Sequence, residues 1–131
     1  PYTNYTSEPG GFEHKSRGLA EHCAAVGTDY GAIVRSANIN AVVGSSESEV
    51  KDRLARVRSR VSAVAGEAAT DAMLGTMNTP QAGSGTPEQL VESLSALRNL
   101  GCEYVICYFP EAAYDRSGIE LFEREVIPAL A

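Results

Sequence analysis

A helix signal followed directly by an apolar strand signal, over residues 85–110, constrains the fold of this chain more than any other feature. Thr86 marks a helix start, and Gln89 is placed to complete a capping box with it. Leucines at helical spacing follow, and Gly101 ends the pattern. Residues 104–109, YVICYF, are continuously apolar, which predicts a strand covered on both faces. Helix, glycine stop and buried strand together predict one repeat of a parallel α/β sheet.

The rest of the chain predicts further elements of the same kind. Residues 12–26 have the pattern of an amphipathic helix that ends at a glycine, and residues 33–43 that of a strand. Serine caps and first-turn carboxylates open a helix after residue 44, and a short helix is predicted near residues 68–74. Residues 119–130 predict a closing helix. The predicted order is therefore helix, strand, helix, helix, strand, helix.

Composition excludes several classes of function. The chain has 131 residues and a formal net charge of −6, which argues against nucleic acid or an anionic membrane surface as the main partner. No apolar run approaches the length of a membrane span, and no secretory segment is present. Three cysteines without CxxC spacing suit buried thiols in a reducing cytoplasm better than a disulfide framework or a zinc site. We therefore expect a cytoplasmic protein without a metal.

The histidines and arginines have ordinary structural interpretations. His14 and His22 are eight residues apart on one predicted helix, too far to share a metal ion, and we expect solvated or hydrogen-bonded helix residues rather than catalytic ones. Four arginines between residues 53 and 60 suggest a phosphate site. Acidic residues lie within one or two turns, so ion pairing on a solvated helix face is the interpretation we favour. Asp115 and Arg116 are likewise expected to be a solvated loop pair.

Three segments carry a resemblance to a known family. GTPEQLVESLSALRNLGCEYVICYFP at residues 85–110, followed by IELFEREVIPAL at residues 119–130, resembles the C-terminal end of the luciferase-like monooxygenase family. LAEHCAAVGTD at residues 19–29 resembles a family segment in which a glycine turn leads into a strand. Members of the family are bacterial-luciferase-like (β/α)8 TIM barrels that use flavin or the deazaflavin coenzyme. The deazaflavin-dependent branch is the closer likeness.

The resemblance implies a part of a barrel rather than a whole one, because a (β/α)8 barrel needs about 250 residues. Residues 1–131 would form a single segment, about the last third of the barrel, without the first five strands. The implied function is the C-terminal portion of an oxidoreductase or monooxygenase that acts on a small molecule, with the deazaflavin coenzyme for hydride transfer or FMN as the alternative. We expect this segment to be inactive by itself. The alternative function is a non-catalytic α/β association module derived from such a barrel.

Two strand segments supply the candidate cofactor-binding residues. Asn38 and Asn40 alternate with apolar residues, and in a barrel this period-two pattern would turn both amides to the lumen. There they would bond either to neighbouring side chains and water or to a ligand. Asn4-Tyr5-Thr6 resembles the end of a short family strand, which adds Tyr5 and Thr6 as cofactor-binding candidates. The catalytic residues remain unassigned.

The expected partners follow from the open edges that a barrel segment would have. Unpaired strands and exposed apolar surface favour association, so we expect the missing N-terminal barrel part, or a second copy of the chain, as the partner. A homo-oligomer is the expected state when the N-terminal part is not supplied.

Overall fold

The computed structural model describes residues 2–6 and 9–131, apart from the side chains of Thr6 and Pro9. The protein is mixed α/β with parallel strands, as the sequence predicts. The strands, in chain order, are β1 (Tyr2–Thr6), β2 (Val34–Asn40), β3 (Val42–Val43), β4 (Ser84–Gly85) and β5 (Tyr104–Tyr108). The main sheet has the order β1-β2-β5 with all pairs parallel, and β3 pairs with β4 in a separate two-stranded sheet.

The helices follow the order that the sequence predicts, with additional short segments. They are α1 (Pro9–Val26), α2 (Glu47–Ala65), α3 (Glu67–Leu74), α4 (Pro87–Asn99), α5 (Ser117–Leu121) and α6 (Ile127–Leu130). A π-helical turn, Phe122–Val126, joins α5 to α6 into one closing helix. Two 3-10 turns, Tyr30–Ala32 and Pro80–Ala82, lie in the connections. In the described part of the chain, no helix combines the length and the apolar character needed to cross a membrane.

The helices that contribute to the main core pack on one face of the main sheet. Alternate residues of β2 and the residue after it supply the sheet side of this core, and α1, α4 and the closing helix supply the other side. Phe12 of α1 and Leu90 and Leu97 of α4 are completely buried there. The members from the sheet and its flanks include Tyr5, Ala37, Ile39, Ala41 and Val43. The opposite face of the sheet is open at Tyr2, Val34, Tyr104 and Tyr108, each of which is at least 40% exposed, and we call it the uncovered face.

The start and end of α4 confirm the sequence prediction in detail. The backbone N–H of Thr86 donates to Oε1 of Gln89 at 3.0 Å, and the N–H of Gln89 donates to Oγ1 of Thr86 at 3.5 Å. These two bonds satisfy donors that a helix N-terminus otherwise leaves unpaired. Gly101 follows the helix with φ of +94°, a conformation that a residue with a Cβ adopts only under strain. The chain then turns directly into β5.

The predicted strand over residues 33–43 is two strands with different partners. After Asn40, the backbone N–H of Ala41 still donates to the carbonyl of Tyr108 at 2.7 Å, whereas that of Val42 donates to the carbonyl of Gly83 at 3.1 Å. Gly83 has φ of +110°, and a Cβ on it would lie 2.7 Å from the carbonyl oxygen of Asn40. A glycine at this position lets the β4 segment approach and take over the pairing.

Other predictions on burial were wrong. Tyr104 and Tyr108 are 57% and 54% exposed, so β5 is covered on one face rather than on both. Apolar residues at helix ends are exposed as well, since Val26 at the end of α1 is 59% and Val64 at the end of α2 is 91% exposed. An apolar run indicates a strand, but it does not distinguish a face under helices from a face that lacks a partner in this chain.

Candidate functional site

The uncovered face of the sheet brings polar and aromatic side chains into rows. In the parallel register Asn4, Ser36 and Tyr104 are level with one another. Thr6, Asn38 and Ile106 form the next row, and Asn40 and Tyr108 the row after that. Because residues level in a parallel register point to the same face, the described side chains of these rows share one surface. The last row lies at the C-terminal ends of β2 and β5, and this uncovered face is the candidate site.

The first row contains a polar cluster around the buried hydroxyl of Ser36. Ser36 is completely buried, and its Oγ lies 2.7 Å from Oδ1 of Asn4 and 3.0 Å from Oη of Tyr2. The carbonyl oxygen of Thr3 is 3.2 Å from the same hydroxyl. A serine hydroxyl has a single proton, so the oxygen of Asn4 and the carbonyl of Thr3 compete for it, while the hydroxyl of Tyr2 can donate to Oγ.

The next two rows offer unused hydrogen-bonding groups. Asn38 is partly buried, and its Oδ1 is buried with no hydrogen-bond partner among the described side chains. A buried acceptor without a donor costs about 1–3 kcal/mol, so this position favours a bound group that donates a hydrogen bond. Asn40 is exposed beside the exposed ring of Tyr108, with which it is in register. Amide groups next to an aromatic ring are suited to hold a planar ligand with polar edges.

The four candidate residues do not all meet at this face. Asn38 and Asn40 share it, as their period-two spacing predicts. Thr6 is level with Asn38 in the register, and its side chain lies outside the described part of the structure. Tyr5 points to the opposite face, under α1, where it is 8% exposed and its ring packs edge-on against Phe12 with centroids 5.0 Å apart. Burial raises the pKa of the Tyr5 hydroxyl. Tyr5 is therefore a core residue and not a neighbour of the two asparagines.

A buried ionic cluster lies in the loop after β5 and was not predicted from the sequence. Arg53 of α2 is 4% exposed, and its guanidinium contacts Glu49, Glu111 and Asp115 at 2.8, 3.2 and 3.3 Å. It also donates to Oγ of Ser117 at 2.6 Å. The cluster ties the loop that follows β5 to the helix that follows β2. It thereby fixes the connections next to the end of the candidate site that carries Asn40.

Hydrogen bonds in the cluster lower the pKa of two of its carboxylates, Glu49 and Asp115. The hydroxyl and backbone N–H of Ser45, together with Arg53, lower the pKa of Glu49 to about 2. Hydrogen bonds from Ser117 lower the pKa of Asp115. Burial opposes the charge on Arg53, but its bonds to Glu49 and Glu111 outweigh that effect and raise its pKa. The sequence did carry a signal, since Arg53 falls between Val50 and Val57 on the buried stripe of α2.

Metal ligation has no support among residues 2–6 and 9–131. No group of three or more histidine, cysteine, aspartate or glutamate side chains in that part of the chain is arranged to hold a metal ion. His14 and His22 are both exposed on α1. Burial raises the pKa of the Cys107 thiol to about 11, so it is protonated at neutral pH and a poor nucleophile.

Comparisons with known proteins give a structural likeness only. No protein-family model matches the chain, and no curated protein matches it. Among solved structures, a coenzyme F420 dependent tetrahydromethanopterin reductase from Methanopyrus kandleri matches with a TM-score of 0.66 and 17% identity. An F420-dependent secondary alcohol dehydrogenase, in complex with an F420-acetone adduct, matches with a TM-score of 0.59 and 11% identity.

The two matches cover nearly all of this chain but less than half of each solved chain. Each covers 99% of this chain, but only 45% of the reductase and 48% of the dehydrogenase. The chain therefore spans just under half the length of the solved chains it matches. At these identities the likeness is one of fold, and both matched proteins depend on coenzyme F420.

Proposed function

We propose that this chain is the C-terminal part of a barrel oxidoreductase that uses coenzyme F420, the deazaflavin coenzyme. The single observation that carries the proposal is the uncovered sheet face with the amides of Asn38 and Asn40 beside Tyr108. In a parallel barrel, one face of each strand meets the helices and the other lines the lumen, with ligands at the C-terminal ends. The observed sheet has helices on one face only, and Asn40 lies at that end.

The fold comparison supports the same proposal. Two F420-dependent oxidoreductases contain nearly the whole of this chain's fold as a part of a longer chain. An independent doubly wound domain would instead cover both faces of its parallel sheet with helices. The small-molecule substrate, like the coenzyme, would then lie against the uncovered face.

The roles we assign to residues are binding and orientation. The amides of Asn38 and Asn40 would hydrogen-bond to polar edges of the coenzyme or substrate, and Tyr108 would offer an aromatic surface. When bound, the deazaflavin supplies the hydride transfer. Tyr5 has no part in this assignment because its side chain is buried on the helix face. FMN, with oxygen activation and monooxygenase chemistry, is the alternative.

Titration of the chain with coenzyme F420, followed by the fluorescence of the coenzyme, tests the proposal. One wall of a site supplies only some of the contacts, so we expect binding weaker than micromolar. Asn40→Ala should weaken it by roughly twofold to tenfold, the equivalent of one lost hydrogen bond. Asn38→Ala should weaken binding by a similar factor without a large fall in the melting temperature, because the buried Oδ1 that it removes has no hydrogen-bond partner among the described side chains.

Controls distinguish this site from adventitious binding. His14→Ala, on the exposed side of α1, should leave the affinity unchanged. FMN in place of F420 should bind more weakly, and the reverse order would favour the flavin alternative. If Asn40→Ala binds F420 as well as the unmodified chain does, the uncovered face is not the coenzyme site.

A further inference from the structure

A small polar cavity lies between the start of α4 and the first turns of α2. Its volume is about 180 Å³, well above the roughly 10–15 Å³ that one water molecule needs. Ser84, Gly85 and Gln89 line it from β4 and α4, and Glu47 and Lys51 line it from α2. None of the described side chains assigned to the coenzyme lines this cavity. It is therefore a second candidate site, separate from the uncovered face.

Ser84 is the buried polar side chain of this cavity. It is 3% exposed, and its Oγ has no hydrogen-bond partner among the described residues. A buried hydroxyl is costly to leave without a partner, so its position favours a ligand that accepts a hydrogen bond from it. A Cβ on the neighbouring Gly85 would lie 3.0 Å from Oε1 of Gln89. A glycine at residue 85 therefore leaves the space beside Gln89 free.

The positive groups at the cavity come from two elements. Lys51 is exposed, and in the described part of the chain the ion pairs of α2 are made by its arginines and not by Lys51. The N-terminus of α4, a helix of 13 residues, adds the positive end of its dipole. Residues 66–97 contain no lysine or arginine, so the side-chain cation reaches the start of α4 only through the fold. A hydroxyl, an ammonium group and a helix N-terminus are groups with which proteins hold phosphate.

We propose that this cavity binds a phosphate group, either as the free ion or as part of a larger molecule. The hydroxyl of Ser84 donates to one phosphate oxygen, and the ammonium group of Lys51 pairs with the charge. Glu47 is the opposing charge at the cavity, and its Oε1 accepts a hydrogen bond from Nε2 of Gln89 at 3.1 Å. This carboxylate limits the affinity for an anion. The inference is independent of the proposed coenzyme site.

Titration of the isotopically labelled chain with inorganic phosphate, followed by its backbone amide resonances, tests the inference. The amides of Ser84, Gly85 and Lys51 should shift to saturation, beyond the effect of sodium chloride at equal ionic strength. The amides of Asn40 and Tyr108 should stay in place, so failure here is distinguishable from failure of the coenzyme site. Glycerol phosphate in a parallel titration shows whether the ester or the free ion binds more tightly.

Variants identify the groups that hold the phosphate. Ser84→Ala and Lys51→Met should each weaken binding by roughly threefold to tenfold, because each removes one charge-assisted contact. Glu47→Gln should tighten it by roughly twofold to fivefold, because it removes the opposing charge and keeps the acceptor for Gln89. Lys15→Met is the matched control. Lys15 is the other lysine of the chain and is exposed on α1, so phosphate binding should be unchanged.

A purely structural role for Ser84 predicts a different result. Without phosphate, Ser84→Ala should not lower the melting temperature, because the hydroxyl that it removes has no described partner. No shift beyond that of sodium chloride, acetate binding as tightly as phosphate, or unchanged binding by Lys51→Met would overturn the inference.

Discussion

Arg53 shows how one buried charge organises the connections next to the candidate site. Burying a guanidinium costs several kcal/mol, and only partners in good geometry compensate for it. Glu49, Glu111 and Asp115 provide them within 3.3 Å. Glu111 is itself 4% exposed, and its Oε1 lacks a hydrogen bond, with Arg56 3.8 Å away. Arg53 is therefore the partner that compensates for the burial of Glu111.

Substitution of Arg53 should be among the most destabilising changes in this protein. Arg53→Met keeps an apolar stem but leaves Glu111 buried without its partner, and we expect the free energy of unfolding to fall by about 3–5 kcal/mol. Arg56→Met is the control. Its side chain is 47% exposed, so the loss should stay below about 1 kcal/mol. Urea unfolding of the two variants measures both values.

A double substitution distinguishes the effect of losing the ion pair of Arg53 from the effect of losing the packing of its side chain. Arg53→Met with Glu111→Gln removes both charges, and it should recover a large part of the stability lost in the single variant. If Arg53→Met and Arg56→Met destabilise equally, the cluster does not fix the loop after β5 in the way described.

At the scale of elements, the closing helix departs from the regular helix predicted over residues 119–130. A π-helical turn, Phe122–Val126, interrupts it, and the backbone N–H of Ile127 donates to the carbonyl of Phe122. Pro128 follows and has no N–H to donate to the residue four positions before it. A proline at this point favours such a local change in the hydrogen-bond ladder. Phe122 and Val126 remain buried.

Two glycines in different backbone conformations should respond oppositely to alanine. Gly101, after α4, has φ of +94°, so Gly101→Ala should destabilise the protein by about 1–3 kcal/mol. Gly18 lies within α1, and a Cβ on it would meet nothing within 4 Å. Gly18→Ala should therefore stabilise by about 0.5–1 kcal/mol. Thermal unfolding compares the two, and a destabilised Gly18→Ala would contradict the account of α1.

The features that the sequence predicted correctly are those that depend on residues close together in the chain. The capping box of Thr86 and Gln89, the stop at Gly101 and the shared face of Asn38 and Asn40 all depend on residues close in sequence. The partner of Arg53 could not be predicted in the same way, because Glu111 is 58 positions away. The change of strand partner after Asn40 likewise depends on Gly83, which is distant in sequence and contacts Asn40 only in the folded chain.

The candidate site was partly predictable for the same reason. Side chains alternate between the two faces of a strand, so residues two apart share a face, and this rule placed Asn38 and Asn40 together. It does not relate one strand to another, so Tyr5 was grouped with them although it lies on the helix face. Tyr108, level with Asn40, was assigned only to an apolar run. Its position beside the amide became apparent from the register of β2 and β5.

At the scale of the whole molecule, the described residues place helices on one face of the main sheet and leave the other face uncovered. Parallel sheets usually have both faces covered. The uncovered face accounts for the proposed ligand contacts, and it follows from the interpretation of the chain as one part of a parallel barrel.

The most direct test of this account is a map of the backbone amide resonances as coenzyme F420 is added to the isotopically labelled chain. The account predicts that the amides of Asn38, Asn40 and Tyr108 shift progressively up to millimolar coenzyme. Those of Cys23 in α1 and Val64 in α2 should stay in place, because neither residue lies at the uncovered face. Shifts confined to other surfaces, or no shifts at millimolar F420, would contradict the assignment of that face to the coenzyme.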